Sequence, residues 1–321
     1  MGDVLAGIHA TWEFESDAVL IRFERGIRTP KLFQALGERR IPHEALASVT
    51  LTPGKRGTVV LHAMPRPGAD PLMEAAAGQL KDGNDPYRLV LPAERETLAE
   101  YYADELRAML LPEAKVPAER FLVAAPQAPL QFKAYDGKAS FDGAQVAFRW
   151  FWTGASSAKW KAGDQTFHVQ ELNGVEWRSP DVFDGYLRLL LRGDGGGGTG
   201  MRQPAQADQD PAAVVFGLGY GPVHESLPFA AAVLGAVRSG MGVPVDAVTA
   251  APVEAAGMPG ASPGPAAVAT AGAGATAGAA GGRQDPADIA ERIRHLRDLH
   301  EAGLVTDEEF SAKKAELLAE L

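Results

Sequence analysis

The strongest constraint on this chain is a pattern of apolar residues that occurs twice in the same order. Phe14, Val19, Ile21 and Phe23 are spaced 5, 2 and 2, and Phe141, Val146, Phe148 and Trp150 repeat that spacing, with Arg22 matched by Arg149. Ile41, Leu46, Val49 and Leu51 are spaced 5, 3 and 2, as are Phe167, Leu172, Val175 and Trp177. Asp85-Pro86 precedes Leu89 and Leu91 at the offsets by which Asp210-Pro211 precedes Val214 and Phe216. Three matches in one order imply a duplicated domain, two similar folding units in tandem.

Each copy reads as strands followed by one helix. Alternation at Val19, Ile21 and Phe23, and at Val146, Phe148, Trp150 and Trp152, is the period-2 signature of strands with one buried face. Residues 58–63 and 186–191 are short apolar runs that suit buried strands. Copy one closes with a helix over 94–110, where Leu98, Tyr101, Tyr102, Leu106, Met109 and Leu110 form an apolar stripe. Copy two closes with a helix over 228–237, apolar nearly all round and so expected to be covered more deeply. The expected class is α+β. Five or six antiparallel strands per copy would make a small barrel or sandwich plugged by its C-terminal helix.

In element order, and in the corner segment Arg40-Ile41-Pro42-His43-Glu44-Ala45-Leu46-Ala47-Ser48-Val49, each unit resembles a bacterial pleckstrin-homology-like (PH-like) domain. Copy two has Phe167-His168-Val169 where copy one has Ile-Pro-His. Residues 1–240 also resemble a family of unknown function found duplicated in actinobacterial proteins, often with a C-terminal helical hairpin. The expected layout is a first repeat over 1–111, a linker over 112–129 and a second repeat over 130–242. A flexible Ala/Gly/Pro linker over 243–284 and a helical hairpin over 285–321 complete it.

Ahead of Arg283 the low-complexity stretch carries only Asp246 and Glu254 as charges, and its repeated Pro and Gly would break any helix its alanines start. With Gly-rich statistics it is a tether of roughly 35 Å root-mean-square span. Beyond it, Asp285-Pro286 supplies a helix cap and a first-turn proline. Ile289, Ile293, Leu296 and Leu299 then fall 4, 3 and 3 apart on one face, and Gly303 ends the helix. Thr306 and Glu309 form a capping box, Val305 and Phe310 a hydrophobic staple, and Phe310, Leu317, Leu318 and Leu321 a second apolar face. The run from Leu296 to Phe310, followed by Lys313-Lys314 and Leu317-Leu318, closely resembles the SHOCT (short C-terminal) domain. That resemblance implies an oligomerisation or docking module. A hairpin this short cannot bury enough apolar surface to stand alone, so its faces need partner helices. Its own copies, another helical protein or the repeats of the same chain could supply them.

A net charge of -10 opposes a general nucleic-acid coat, which rests on clustered Lys and Arg, and no nucleic-acid partner is expected. The absence of cysteine excludes thiolate chemistry and a disulfide framework. No two of the seven His are spaced i, i+4 beside a Glu, so neither a metal nor another cofactor is expected. The N-terminal residues show no secretion signal, and the longest uncharged run, over 255–282, lacks the Leu, Ile and Phe a membrane span needs. A cytoplasmic protein is expected.

Two strings mimic catalytic or phosphate motifs. Gly260-Ala261-Ser262-Pro263-Gly264 matches a nucleophile elbow, but Pro263 has no N–H for an oxyanion hole. Gly193-Asp194-Gly195-Gly196-Gly197-Gly198 matches a phosphate-binding fingerprint, but no helix pattern follows it. The basic residues of copy one are more informative. Arg25, Arg28, Lys31, Arg39 and Arg40, with Arg22 nearby, form a candidate anion-binding set, and Lys55-Arg56 adds a second basic loop. A solvated polar face explains the same residues without a ligand. In copy two the nearest counterparts are Arg149, Lys159 and Lys161. Phe148, Trp150, Phe151, Trp152 and Trp160 are expected to pack in the core of copy two and against copy one. No carboxylate pair and no Ser/His/Asp set stands out, so the expectation is a non-enzymatic binding protein whose hairpin docks on itself or on another helical protein. The alternative is a membrane-surface adaptor that meets anionic lipid through copy one. A less favoured third is an enzyme with its site between the repeats.

Overall fold

The computed structural model describes residues 3–182, 184–193, 206–217 and 219–241, together with Ser311. Copy one begins with an antiparallel four-stranded sheet in the order β1-β2-β3-β4: β1 (Asp3–Ala6), β2 (Ala10–Phe14), β3 (Ala18–Phe23) and β4 (Glu38–Pro42). A short helix, α1 (Lys31–Leu36), sits between β3 and β4. A 3-10 turn at His43–Ala45 then leads into a three-stranded sheet of β5 (Leu46–Pro53), β6 (Thr58–Pro65) and β7 (Arg88–Pro92). The helix α2 (Pro71–Ala76) is inserted between β6 and β7, and α3 (Glu96–Ala108) closes the copy against the second sheet.

Copy two repeats the plan. Its first sheet runs β8 (Leu130–Lys133), β9 (Gly137–Phe141), β10 (Gln145–Trp150) and β11 (Gln165–His168), with α4 (Ser157–Ala162) between the last two. Its second holds β12 (Leu172–Arg178), β13 (Tyr186–Leu191) and β14 (Ala213–Val215), followed by α5 (Val223–Met241). Seven strands per copy are described, against the five or six expected. The extra ones are short pieces such as β1 and β14, too brief to show alternation.

The repeated residues occupy equivalent places. Val19 pairs with Ile41 as Val146 pairs with Phe167, and Leu51 pairs with Leu61 as Trp177 pairs with Leu187. Both β5 and β12 slip register at their start, between Leu46 and Ser48 and between Leu172 and Gly174. Asp85 accepts a hydrogen bond from the Tyr87 N–H and faces His62 at 3.2 Å. Asp210 likewise accepts from the Ala212 N–H and faces Arg188 at 3.0 Å. The Asp-Pro pair is thus a turn that starts the last strand of each copy.

The closing helices differ. On α3 the face against the sheet is Ala99, Tyr102, Ala103 and Leu106, while Leu98, Tyr101 and Met109 of the expected stripe stay exposed. Two alanines let the helix lie close to the strands, which leaves the larger neighbours on its flank. Tyr102 stacks on Phe14 with ring centroids 4.1 Å apart. On α5 the helix starts ahead of Pro228 and continues through it, and Leu227, Phe229, Ala230, Ala231, Ala232, Val233 and Val237 are buried. Its second side meets copy one, because Leu32 of α1 and Leu72, Ala75 and Ala76 of α2 join the core of copy two. Gln79 fastens the seam, donating to the Trp177 carbonyl and accepting from the Ser179 N–H, each at 2.9 Å. The Arg238–Glu74 ion pair closes the far end at 2.8 Å.

The connector over 112–129 packs as well. Leu122 and Val123 donate to the Ala69 carbonyl, and Phe121 lies under the Arg238 guanidinium. In β10, Val146, Phe148 and Trp150 face inward as expected. The strand ends there, so Trp152 leaves the alternation and is 36% exposed, and Trp160 on α4 is 52% exposed. These two tryptophans are not core residues. The main contacts of the seam come from α1 and α2 against α5 and β12 instead.

Candidate functional site

The five cations proposed as an anion site do not act together. Arg39 points into the protein, where its Nη2 donates to Asp70 Oδ1 at 2.7 Å and its Nε to the Tyr87 hydroxyl at 3.1 Å. Tyr87 in turn donates to Asp70 Oδ2 at 2.6 Å, and Asp70 caps α2 through the Leu72 N–H. Burial alone would depress the guanidinium pKa, but the Asp70 carboxylate holds it charged and above its ordinary value. Burial likewise pushes the Tyr87 phenol well up. Arg39 therefore fastens the α2 insertion to β4 and meets no external anion. Arg40 is exposed but committed, donating to Glu15 at 3.0 Å and Asp17 at 2.7 Å. Arg22 is held by Glu13 and Glu38.

Arg25, Arg28 and Lys31 remain. All three are exposed between β3 and the start of α1, and none makes an ion pair among the described residues. Their loop is tied to the β1–β2 turn: the Glu24 N–H donates to the His9 carbonyl at 2.9 Å, and the Thr29 hydroxyl lies 3.3 Å from His9 Nδ1. That turn is tied to β7 by the Ile8 N–H to Val90 carbonyl bond at 2.7 Å. A Cβ at Gly7 would come within 2.6 Å of the Val90 carbonyl oxygen and of the Leu89 side chain, so only glycine allows this approach. Arg95, just after β7, donates to the Ala6 carbonyl, and Ala93 donates to Gly57 in the β5–β6 turn. The exposed Lys55 and Arg56 therefore sit at the same end of copy one as Arg25 and Arg28, although 27 or more residues separate the two pairs in sequence. The carboxylates of Glu24 and Glu94 share this end.

The matching end of copy two keeps the ties and changes the side chains. The Tyr135 N–H donates to the Val215 carbonyl at 3.0 Å, and the Phe151 N–H to the Asp136 carbonyl at 2.9 Å. Asp136 and Lys159 form a buried ion pair beneath, with Asp136 also accepting from the Val215 N–H and the ammonium over the Trp150 ring. Burial pushes the carboxyl up and the ammonium down, each opposed by the other's charge. Lys159 is thus no counterpart of the exposed cations of copy one. Tyr135, Trp152 and Trp160 are large aromatic side chains exposed at this end, beside the exposed Lys161. The sequence signal for Asp136 was its place in the repeat, in the turn just ahead of the second strand.

A groove of about 510 Å³ lies between the copies, lined in part by Leu36, Glu38, Arg40, Gln127, His224 and Glu225. Burial lowers the His224 pKa, Glu225 opposing and the Lys31 charge assisting. No hydroxyl side chain lines the groove beside that imidazole, and Arg40 is turned to its own carboxylates. Among the described residues no group of three or more His, Asp or Glu is placed to hold a metal ion. No helix among them is long and apolar enough to cross a membrane. The hairpin residues Ile289, Ile293, Leu296, Leu299, Phe310, Leu317, Leu318 and Leu321 lie outside the described residues, as do 194–198 and 260–264.

Comparison with known families accounts for the repeat and for the C-terminus. The model of a domain of unknown function, DUF4429, matches residues 12–107 and again 139–234. The model of the Short C-terminal domain (SHOCT) matches residues 291–318. A search of curated proteins found no match.

Proposed function

The chain belongs to the family of the domain of unknown function DUF4429, which it carries twice, and from that premise we propose that it is a non-enzymatic scaffold of the cytoplasm. In this reading the two fused repeats form a binding body, and the hairpin over 285–321 joins it to copies of itself or to another helical protein. The observation that carries the proposal is the match of residues 291–318 to the Short C-terminal domain behind a body whose last helix, α5, is already covered. A segment of that length buries too little apolar surface to hold itself together and gains stability from partner helices. Residues 243–284, mostly Ala, Gly and Pro, serve as the tether that lets it reach them.

Each repeat is PH-like in this reading. Its support is the four-stranded meander, the three-stranded meander and the helix that follows the last strand. A second reading, a membrane-surface adaptor, is favoured by Arg25, Arg28 and Lys31, which are exposed and make no ion pair among the described residues. The scaffold reading is tested by placing charge on the hairpin faces, with Ile293→Asp and Leu317→Asp together. Sedimentation equilibrium should show a smaller species for the double variant, or loss of the co-purifying partner. An unchanged mass with every partner retained contradicts the proposal.

A further inference from the structure

We propose that the turn-bearing end of copy one docks on anionic bilayers, with Ile27 entering the lipid interface and the surrounding cations holding the headgroups. Ile27 is 106% exposed, so it projects as freely as in an extended peptide. It stands at the crest of a loop, with Arg25 two residues before it and Arg28 next to it, both exposed. Ile8, 41% exposed, is on the adjoining turn, which the His9 contacts hold beside that loop. Lys55 and Arg56 stand on the third turn of the same end. Among the described residues no neighbour covers it, and moving its side chain from water into an apolar phase is favourable.

The shape selects the partner. A soluble phosphate compound needs a concave site with convergent donors, whereas here the cations flank a convex apolar tip. An acidic protein would need a larger contiguous apolar patch for a stable interface. A bilayer accepts both features at once, taking an apolar side chain into its interface while its headgroups neutralise the cations. Copy two points the same way. At the repeat-equivalent end it exposes Tyr135, Trp152 and Trp160, the side-chain types that sit at membrane–water interfaces. The loop that bears Ile27 leads into α1, which packs on α5, and the Gly221 N–H ahead of α5 donates to the Lys133 carbonyl at the end of β8, two residues before Tyr135. The inference rests on the adaptor reading of these loops and not on the hairpin. Self-association would multiply a weak contact without creating it.

The test is co-sedimentation of the full chain with vesicles of phosphatidylcholine alone and of phosphatidylcholine with phosphatidylserine. Binding is expected only with phosphatidylserine and should weaken with salt. Each headgroup-facing cation is worth roughly fivefold in affinity, so Arg25→Glu with Arg28→Glu should lower binding by at least about 25-fold. Ile27→Asp should lower it with the net positive loop otherwise intact. All three side chains are exposed, so a preserved thermal transition separates lost docking from lost folding. Inorganic phosphate at a concentration matched in ionic strength to chloride should release no more protein than chloride does. Equal binding to both vesicle types, parent-like binding by both variants, or selective release by phosphate would each overturn the proposal.

Discussion

Arg39, a candidate anion contact in sequence, and Lys159, one of the nearest counterparts in copy two, are each buried against one carboxylate. A run of basic residues shows where charge lies along the chain, but the facing of each side chain depends on a partner far away in sequence. Asp70 is 31 residues from Arg39, and Asp136 is 23 from Lys159. Removing one partner leaves the other charge buried and unpaired. Asp70→Ala should therefore cost about 3–5 kcal/mol, read by chemical denaturation. His43 provides a pH signature. Burial lowers its pKa below the ordinary 6.5, Asp17 raising and Arg40 lowering it further. The unfolded chain then takes up a proton near pH 6.5 that the folded protein takes only at lower pH, so stability is full above that pH and falls as pH drops. His43→Gln should flatten the decline in thermal midpoint between neutral and mildly acidic pH relative to the parent chain.

Strands with one buried face were legible because a period of two shows in a few residues, as at Val19, Ile21 and Phe23. The edge of a strand was not, so Trp152 was carried one step beyond the end of β10. Helix faces were only partly legible: the largest residues on α3 mark its flank, since the alanines make the closest approach. The even apolarity of α5 did report its cover on two sides. The insertion between β6 and β7 carries no sequence signal of its role, because what it packs on, α5, lies in the other copy. Leu72 is its fully buried anchor, and Leu72→Ala should cost about 2–5 kcal/mol. Because the core is continuous across the seam, that variant should still show one unfolding transition. A separate early transition for copy two would count against a shared core.

At the scale of the molecule the duplication was legible and the fusion of its halves was not. Repeats share spacing, but the contact that welds them, α1 and α2 on α5, uses elements without equivalent roles in the two copies. The candidate membrane edge was half visible. The sequence shows two basic loops, and only the hydrogen bonds through His9, Ala6 and Gly57 bring them to one end with Ile27 at its crest. In the proposed reading the repeats form a binding body which the C-terminal segment connects to partner helices. Light scattering on purified full-length protein and on a chain ending at Gly240 tests it most directly. The full chain should scatter as an oligomer, or as a complex with a defined helical partner, while the shortened chain should be a folded monomer. Two monomeric masses with no partner bound, or an oligomer that survives the truncation, would contradict it.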